Sequence, residues 1–138
     1  MIIIVCIDNK YGMMFHNRRQ SQDREVRADI LRLIGEKTLY MSPYSAKQFS
    51  KDDSNYIVSD HFLEEAKNGD YCFVEDTNIT PFADKIEKLI LYYWGREYPT
   101  DKYFPLDMSH WELIETKEFP GYSHKEILRE ICIPREEE

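Results

Sequence analysis

Ile2-Ile3-Ile4-Val5-Cys6-Ile7, near the start of the chain, is the stretch of sequence that decides the fold. An apolar run of this length is far too short to cross a bilayer, and its continuity is typical of a β-strand that is buried on both faces. Such strands occur in parallel sheets that carry helices on both faces. The run therefore predicts a buried strand in an α/β domain.

Segments with strand and helix patterns alternate along the rest of the chain. The predicted strands are 38–41, 56–58, 71–74 and 88–94, and the predicted helices begin near Asp23, Ser45, His61 and Pro81. Two further stretches, 111–118 and 125–132, flank Pro120-Gly121 and predict an antiparallel hairpin. This order predicts a three-layer α/β/α fold, with a mostly parallel central sheet and an antiparallel C-terminal hairpin at its edge.

Two of the predicted helices have candidate N-caps. Ser21 or Asp23 is expected to cap the first helix, after a polar loop from Asp8 to Gln22. Ser45 is expected to cap a brief helix that ends near Phe49.

Length and composition limit the class of protein. The chain has 138 residues, close to the size of one domain, and we expect a single domain over 1–135 and an acidic tail over 136–138. A hydrophobic content of 42%, with five Gly and six Pro, excludes a disordered or collagen-like chain. The net charge of -8 argues against nucleic acid as a partner.

The apolar run at the start does not have the pattern of a signal peptide. No basic residue precedes it and no small-residue cleavage site follows it, so we expect a cytoplasmic protein with no membrane partner. Cys6, Cys72 and Cys132 form no C-x-x-C pair, and Cys6 and Cys72 lie in strand-like runs. They are expected to be reduced, buried thiols.

The order of elements and several local strings resemble dihydrofolate reductase across nearly the whole chain. The strings are Asp8-Asn9-Lys10-Tyr11-Gly12-Met13, Lys88-Leu89-Ile90-Leu91, Asp101-Lys102-Tyr103-Phe104-Pro105 and Trp111-Glu112. The last three match in type and spacing that family's strand, its Asp-Thr-x-Phe-Pro segment and its Trp-Glu pair. The resemblance implies the family's fold, and it makes NADPH-dependent pterin reduction the first activity to consider.

The positions that carry this activity in the family are altered here. The resemblance places the family's proton-donating carboxylate on Val26, its Pro-Trp pair on Gln20-Ser21, and its folate-gripping Arg on Asp53. Val74-Glu75-Asp76 replaces the Gly-Gly pair, and its carboxylates would repel a cofactor phosphate. We therefore expect no ordinary dihydrofolate reduction and no resident cofactor, with NADPH left open only for a non-standard use.

The chain also resembles a narrower bacterial group of about 140 residues, whose members are often labelled ribonuclease Z. The shared strings are Arg18–Asp23, Tyr44–Phe49 and Ser123-His124-Lys125. The four histidines are His16, His61, His110 and His124, and no two lie within a dozen residues of each other. The H-x-H-x-D-H metal motif of true ribonuclease Z is therefore missing, and the residues do not support that label or a metal site.

The loop before the first helix is the first candidate ligand site. It contains Arg18, Arg19, Gln20, Ser21, Gln22 and Asp23. Two guanidinium groups, two amides and a helix N-terminus suit a phosphate or a carboxylate, and in the resembled fold this loop lies over the ligand cleft. A loop that is locked by its own hydrogen bonds is the alternative.

Two further clusters are expected at the same cleft. Tyr44, Ser45 and Lys47 occupy the turn that holds cofactor phosphates in the resembled family, although a plain helix cap explains Ser45 equally well. Glu75 and Asp76 follow a central strand at the edge where open α/β sheets bind ligands. Their carboxylates are expected to form a salt bridge with the Arg18/Arg19 loop, or else to bind a cation or a ligand's amino groups.

His124 is the last candidate for chemistry. Its side chain can act as a general acid or base near neutral pH, but a histidine on the surface of a hairpin is the favoured interpretation. The residues together predict a small anionic or nucleotide-like ligand, or a protein partner, for a remodelled cleft. An oxidoreductase that uses NAD(P)H in a non-standard way is the first alternative, and an RNA-processing hydrolase is the second.

Overall fold

The computed structural model describes residues 1–49 and 55–136. Within them the strands are β1 (Ile2–Ile7), β2 (Gly12–Phe15), β3 (Arg18–Arg19), β4 (Leu39–Met41), β5 (Tyr56–Val58), β6 (Tyr71–Phe73), β7 (Lys88–Tyr93), β8 (Lys102–Tyr103), β9 (Trp111–Phe119) and β10 (Ile127–Pro134). The α-helices are α1 (Arg24–Ile34), α2 (Pro43–Ala46) and α3 (Phe62–Glu65), and 3-10 helices span Thr80–Lys85 and Met108–His110.

The large sheet has the strand order β5-β4-β6-β1-β7-β10-β9. Its first five strands are parallel neighbours, and β10 runs antiparallel to both β7 and β9. Strand β1 lies between β6 and β7, with Ile4 opposite Phe73 on one side and Ile90 on the other. The structure thus confirms the predicted α/β class, with its mostly parallel sheet and antiparallel C-terminal edge.

Alternate residues of β1 build the two halves of the core. Ile3, Val5 and Ile7 pack into one apolar cluster with α3, and Ile2 and Ile4 pack into the other with α1. Both faces of the central strand are therefore covered, which explains why its sequence is apolar at every position. No helix in the described ranges is long and apolar enough to span a membrane.

The segment predicted as a loop from Asp8 to Gln22 contains two strands. Strand β2 pairs with β3 on one side and with β8 on the other, forming a second, three-stranded antiparallel sheet. The loop prediction was wrong there because these strands are short and their pairing with β8 is long-range. This small sheet lies beside the carboxyl end of β1 and carries the Arg18–Asp23 region.

The helix starts differ in detail from the predictions. Asp23 caps α1, since its Oδ1 accepts a hydrogen bond from Glu25 N at 2.8 Å, so Asp23 and not Ser21 is the N-cap. Ser45 does not cap α2. Ser42 Oγ accepts from Ser45 N at 3.2 Å, and Pro43 occupies the first turn, where its missing N–H costs nothing. Helix α2 ends at Ala46 and not near Phe49, and Ser45 lies inside it.

Two other helices differ in length or type from the prediction. The helix predicted near Pro81 is the 3-10 helix Thr80–Lys85, and the helix predicted from His61 is the single turn of α3. Of the acidic tail, only Glu136 belongs to the described residues.

Candidate functional site

Arg19 and Glu75 form a two-bonded ion pair across the cleft between the two sheets. Arg19 Nε donates to Glu75 Oε2 at 2.8 Å, and Nη2 donates to Oε1 at 3.1 Å. The guanidinium also lies 4.5 Å from the centre of the Tyr44 ring, and the Tyr44 hydroxyl accepts from Arg19 N at 2.7 Å. The predicted salt bridge is therefore present, and it joins β3, α2 and the carboxyl end of β6.

Asp76 and the start of α2 form the neighbouring cluster. Ser42 Oγ donates to Asp76 Oδ1 at 2.9 Å, and Lys102 Nζ donates to Asp76 O at 2.7 Å. Ser45 is fully buried, so its hydroxyl lies inside the protein and not at the cleft surface. Lys47 is exposed at the end of α2. Tyr44 and Asp76 therefore lie in the cleft, whereas Ser45 is buried beneath its surface.

Gln20 belongs to a buried polar network around Asp8. The Asp8 carboxylate accepts from Gly12 N at 2.8 Å, from Tyr98 N at 3.1 Å and from Gln20 Nε2 at 3.1 Å. Gln20 Nε2 also bonds the Thr100 hydroxyl. Burial alone would raise the pKa of Asp8, but the hydrogen bonds from these groups outweigh it and lower that pKa. Asp8 therefore remains charged and fastens the small sheet to the loop 95–101.

Asp23 and His124 form a second buried pair. His124 Nδ1 lies 2.8 Å from Asp23 Oδ2, and His124 Nε2 lies 2.9 Å from Ser21 Oγ. The imidazole stacks on the Trp94 ring with 4.6 Å between centres. His124 is only 4% exposed, so its interpretation as a surface hairpin histidine was wrong. The hairpin turn folds inward because Asp23 also accepts from Tyr122 N and Ser123 N.

Arg18 and Gln22 face outward. Both residues are exposed, and Gln22 Oε1 accepts a hydrogen bond from Arg27 Nη1 at 3.1 Å. The side chains of the loop therefore point in two directions: Arg18 and Gln22 face the solvent, and the other four point into the protein, namely Arg19, Gln20, Ser21 and Asp23. Asp53, which the resemblance placed at the family's folate-gripping position, lies outside the described residues.

Within the described residues, cavities of different size border the small sheet, the helix α1 and the hairpin. A void of about 10 Å³ lies behind α1, between Cys6, Ser21, Val26 and Glu75. A pocket of about 70 Å³ lies between Met13, Val74, Asn78 and Lys102. A more open groove of about 360 Å³ runs between Trp94 and Lys125. No group of three or more His, Cys, Asp or Glu side chains in the described residues could hold a metal ion.

Sequence reasoning missed Asp8, Tyr98, Thr100 and the buried role of His124. One signal was available for Asp8, because a carboxylate directly after a buried strand is rarely left without donors. No local signal was available for His124, since its partners Ser21 and Asp23 lie 103 and 101 residues away in the chain.

Comparison with known proteins supports the architecture and not a closer relationship. No family model matches the chain, and no curated protein matches it. Among solved structures, the chain is similar to a dihydrofolate reductase from Enterococcus faecalis, complexed with NADP(H) and RAB-propyl, with a TM-score of 0.67 and 10% identity. The match covers 98% of this chain and 96% of that one. The fold of this protein is therefore dihydrofolate reductase-like.

Proposed function

We propose that this protein is a ligand-binding member of the dihydrofolate reductase-like fold and that it does not reduce dihydrofolate. Its ligand is a small anionic or nucleotide-like molecule. The observation that carries the proposal is the pocket of about 70 Å³ at the carboxyl end of β6. Its walls are apolar, and Lys102, Thr77 and Asn78 supply its polar groups, as in small-ligand sites, while its volume admits a single anionic group such as a phosphate.

The region behind α1 argues against a pterin. Val26 is 2% exposed and packs in the apolar core, so the position of the family's carboxylate holds no proton donor. The void beside it is about 10 Å³, roughly the space of one water molecule. A bicyclic ring cannot enter that space without displacing α1 or β6.

The segment after β6 argues against the family's usual cofactor contact. Val74 and Glu75 are both buried, and their side chains fill the position of the resembled Gly-Gly pair. Close approach of a phosphate to the backbone requires the absence of such side chains. We infer that NADPH, if it binds, does so in another manner.

Charge favours an anion at the pocket of about 70 Å³. Lys102 Nζ donates to the backbone oxygen of Asp76, and no carboxylate of the described residues pairs with it. Its positive charge is therefore available to a ligand. Arg19, by contrast, is already neutralised by Glu75, so Lys102 is the cation on which the proposal depends.

Titration calorimetry with AMP, NADPH and inorganic phosphate tests the proposal. We expect AMP to bind through its phosphate, the part of the molecule that a pocket of about 70 Å³ can hold. The change Lys102→Met should weaken this binding by about 10- to 150-fold, because a hydrogen bond to a charged group contributes about 1.5–3 kcal/mol. The change Lys67→Met is the matched control, since Lys67 is exposed at the opposite end of β6. Absence of binding by all three compounds at millimolar concentration, or equal losses in both variants, would contradict the proposal.

The same titration distinguishes the oxidoreductase alternative from the proposed binding protein. Saturable micromolar binding of NADPH, followed by its oxidation in the presence of dihydrofolate, would favour a reductase over a binding protein. A protein partner and an RNA-processing hydrolase stay predictions, because no feature of the described residues favours either of them over a small ligand.

A further inference from the structure

Ser21, His124 and Asp23 form a continuous series of hydrogen bonds. Ser21 Oγ lies 2.9 Å from His124 Nε2, and His124 Nδ1 lies 2.8 Å from Asp23 Oδ2. We propose that this series is a hydrolytic site for small activated acyl esters, in which Ser21 is the nucleophile, His124 the general base and Asp23 the carboxylate that orients it. A nucleophile whose base is held by a third group is the recurring geometry of acyl transfer.

The Asp23 carboxylate sets the tautomer of the imidazole. Burial would raise the pKa of Asp23, but hydrogen bonds from His124 and from the backbone of Tyr122, Ser123 and Glu25 outweigh it and hold that pKa well below its usual range. Asp23 is therefore charged and accepts the Nδ1 proton. The lone pair on Nε2 is left facing Ser21, as a general base requires.

The imidazole is fixed in this orientation by packing as well. Its ring stacks on Trp94, at 24° between the ring planes, and the Tyr98 hydroxyl lies 3.1 Å from Nε2. When Nε2 carries a proton, the Tyr98 oxygen can accept it in a hydrogen bond. Tyr98 is thus a positioning residue for the protonated imidazole.

Ser21 is the nucleophile available in the void behind α1. Cys6 lines the same void, but burial, with the nearby Glu75 charge, raises the pKa of the Cys6 thiol well above its usual value. That thiol stays protonated and unreactive. Ser21, in contrast, is only half-buried and already bonded to its base.

Arg27 supplies a positive charge at the same void. Its side chain lines the void, its Nη1 donates to the Gln22 amide oxygen, and no carboxylate of the described residues pairs with it. A guanidinium there can stabilise the negative charge that develops on the carbonyl oxygen. Because the void is about 10 Å³, roughly the space of one water molecule, it takes only the carbonyl oxygen, and the rest of the acyl group lies outside it, on the exposed side of the half-buried Ser21.

The reaction has two balanced steps. Ser21 Oγ bonds the acyl carbon while its proton moves to His124 Nε2, and the ester bond breaks as the leaving alcohol takes that proton. Water then gives a proton to Nε2 and its oxygen bonds the acyl carbon. The Oγ–acyl bond breaks, and Ser21 recovers its proton from His124, releasing the acid. This activity does not depend on the proposed ligand at Lys102.

Labelling with diisopropyl fluorophosphate, followed by mass spectrometry of the intact protein and its peptides, tests the site. The serine oxygen displaces fluoride from phosphorus, so no turnover is needed for a signal. We expect one adduct, on Ser21, and none in the variant Ser21→Ala. The variant His124→Gln, checked for folding by circular dichroism, should label at least about 100-fold more slowly, the usual scale of general base catalysis.

Ser109 provides the internal control, because it is an exposed serine of the 3-10 helix Met108–His110. Ser109→Ala should label like the unmodified protein. An absence of adduct, labelling at Ser21 no faster than at Ser109, or equal rates in folded His124→Gln would overturn the proposal. Should His124→Gln not fold, the comparison of Ser21 with Ser109 in the unmodified protein still decides it. Hydrolysis of p-nitrophenyl acetate, lost in Ser21→Ala, would support it further.

Discussion

At the scale of single residues, Arg19 and Glu75 are paired with each other in the cleft. The side chains of Arg19 and Glu75 are 20% and 9% exposed, and two hydrogen bonds join them. Removing only the cation would leave a carboxylate in a mostly dehydrated place. Arg19 therefore stabilises the fold through this ion pair, in addition to its position in the cleft.

Arg19→Ala should lower the free energy of unfolding by about 2–3 kcal/mol. The value lies below that of a fully buried pair, about 3–5 kcal/mol, because the Arg19 side chain is partly exposed. Urea unfolding followed by circular dichroism measures the loss. Arg18→Ala is the matched control, since Arg18 is exposed, and should change stability by less than about 0.5 kcal/mol.

The double variant Arg19→Ala with Glu75→Ala isolates the interaction. It should be more stable than the sum of the single losses predicts, by about 1–3 kcal/mol, because no unpaired carboxylate is left. Simple additivity of the two changes would show that the pair contributes nothing specific.

Asp8 and Asp23 are two buried carboxylates whose pKa values are lowered despite burial, by several donated hydrogen bonds each. A carboxyl group with a lower pKa in the folded state stabilises the fold above its unfolded pKa, near 4. That stabilisation is lost as the pH falls through the folded value. The protein should therefore become progressively less stable in acid below about pH 4.

Asp8→Asn should reduce this acid dependence. At pH 7 the variant should be less stable by about 1–3 kcal/mol, since an amide cannot accept all the bonds that the carboxylate accepts. Between pH 5 and pH 3 it should lose less stability than the unmodified protein. Urea midpoints across that range measure both effects. Asp60→Asn, a change at an exposed residue, is the control; a steeper pH dependence in Asp8→Asn would contradict the assignment.

At the scale of elements, the small sheet is held against the loop 95–101 by a close approach at Gly12. A Cβ added to Gly12 would meet the Thr100 hydroxyl and would lie 2.6 Å from Gln20 Nε2. Gly12 N also donates to Asp8 Oδ1. Only glycine allows β2 to lie this close to the polar network of Asp8.

Gly12→Ala should therefore destabilise the protein by about 1–3 kcal/mol, through overpacking against Thr100 and Gln20. Gly69→Ala is the comparison, because Gly69 has φ +83° but open space around it, and should cost about 1 kcal/mol from backbone strain alone. Thermal unfolding of the two variants shows which substitution causes the larger loss of stability. A smaller loss at Gly12 than at Gly69 would mean that β2 moves freely away from Thr100.

At the scale of the whole molecule, the two apolar clusters meet at β1 and cover both faces of the large sheet. The polar groups of the candidate sites come from distant parts of the chain. Ser21 and His124 are 103 residues apart, and Arg19 and Glu75 are 56 apart. Parallel pairing brings the carboxyl ends of β1, β6 and β4 to one edge, and this makes such contacts possible.

The sequence by itself determined the strands of the large sheet and the class of fold. Apolar runs such as 2–7 and 88–93, and the alternation around Pro120-Gly121, depend on local periodicity, which a sequence displays directly. The ion pair between Arg19 and Glu75 was also within reach, because opposite charges were expected at one edge of the sheet.

Only the tertiary structure decided how the cleft is built. It showed that Ser42 and not Ser45 caps α2, that β2 and β3 form a sheet with β8, and that His124 is buried against Asp23. These outcomes depend on contacts between segments far apart in the chain, whose energies no local pattern records. A histidine after a turn is polar and exposed by default, and becomes buried only where a distant carboxylate compensates for its desolvation.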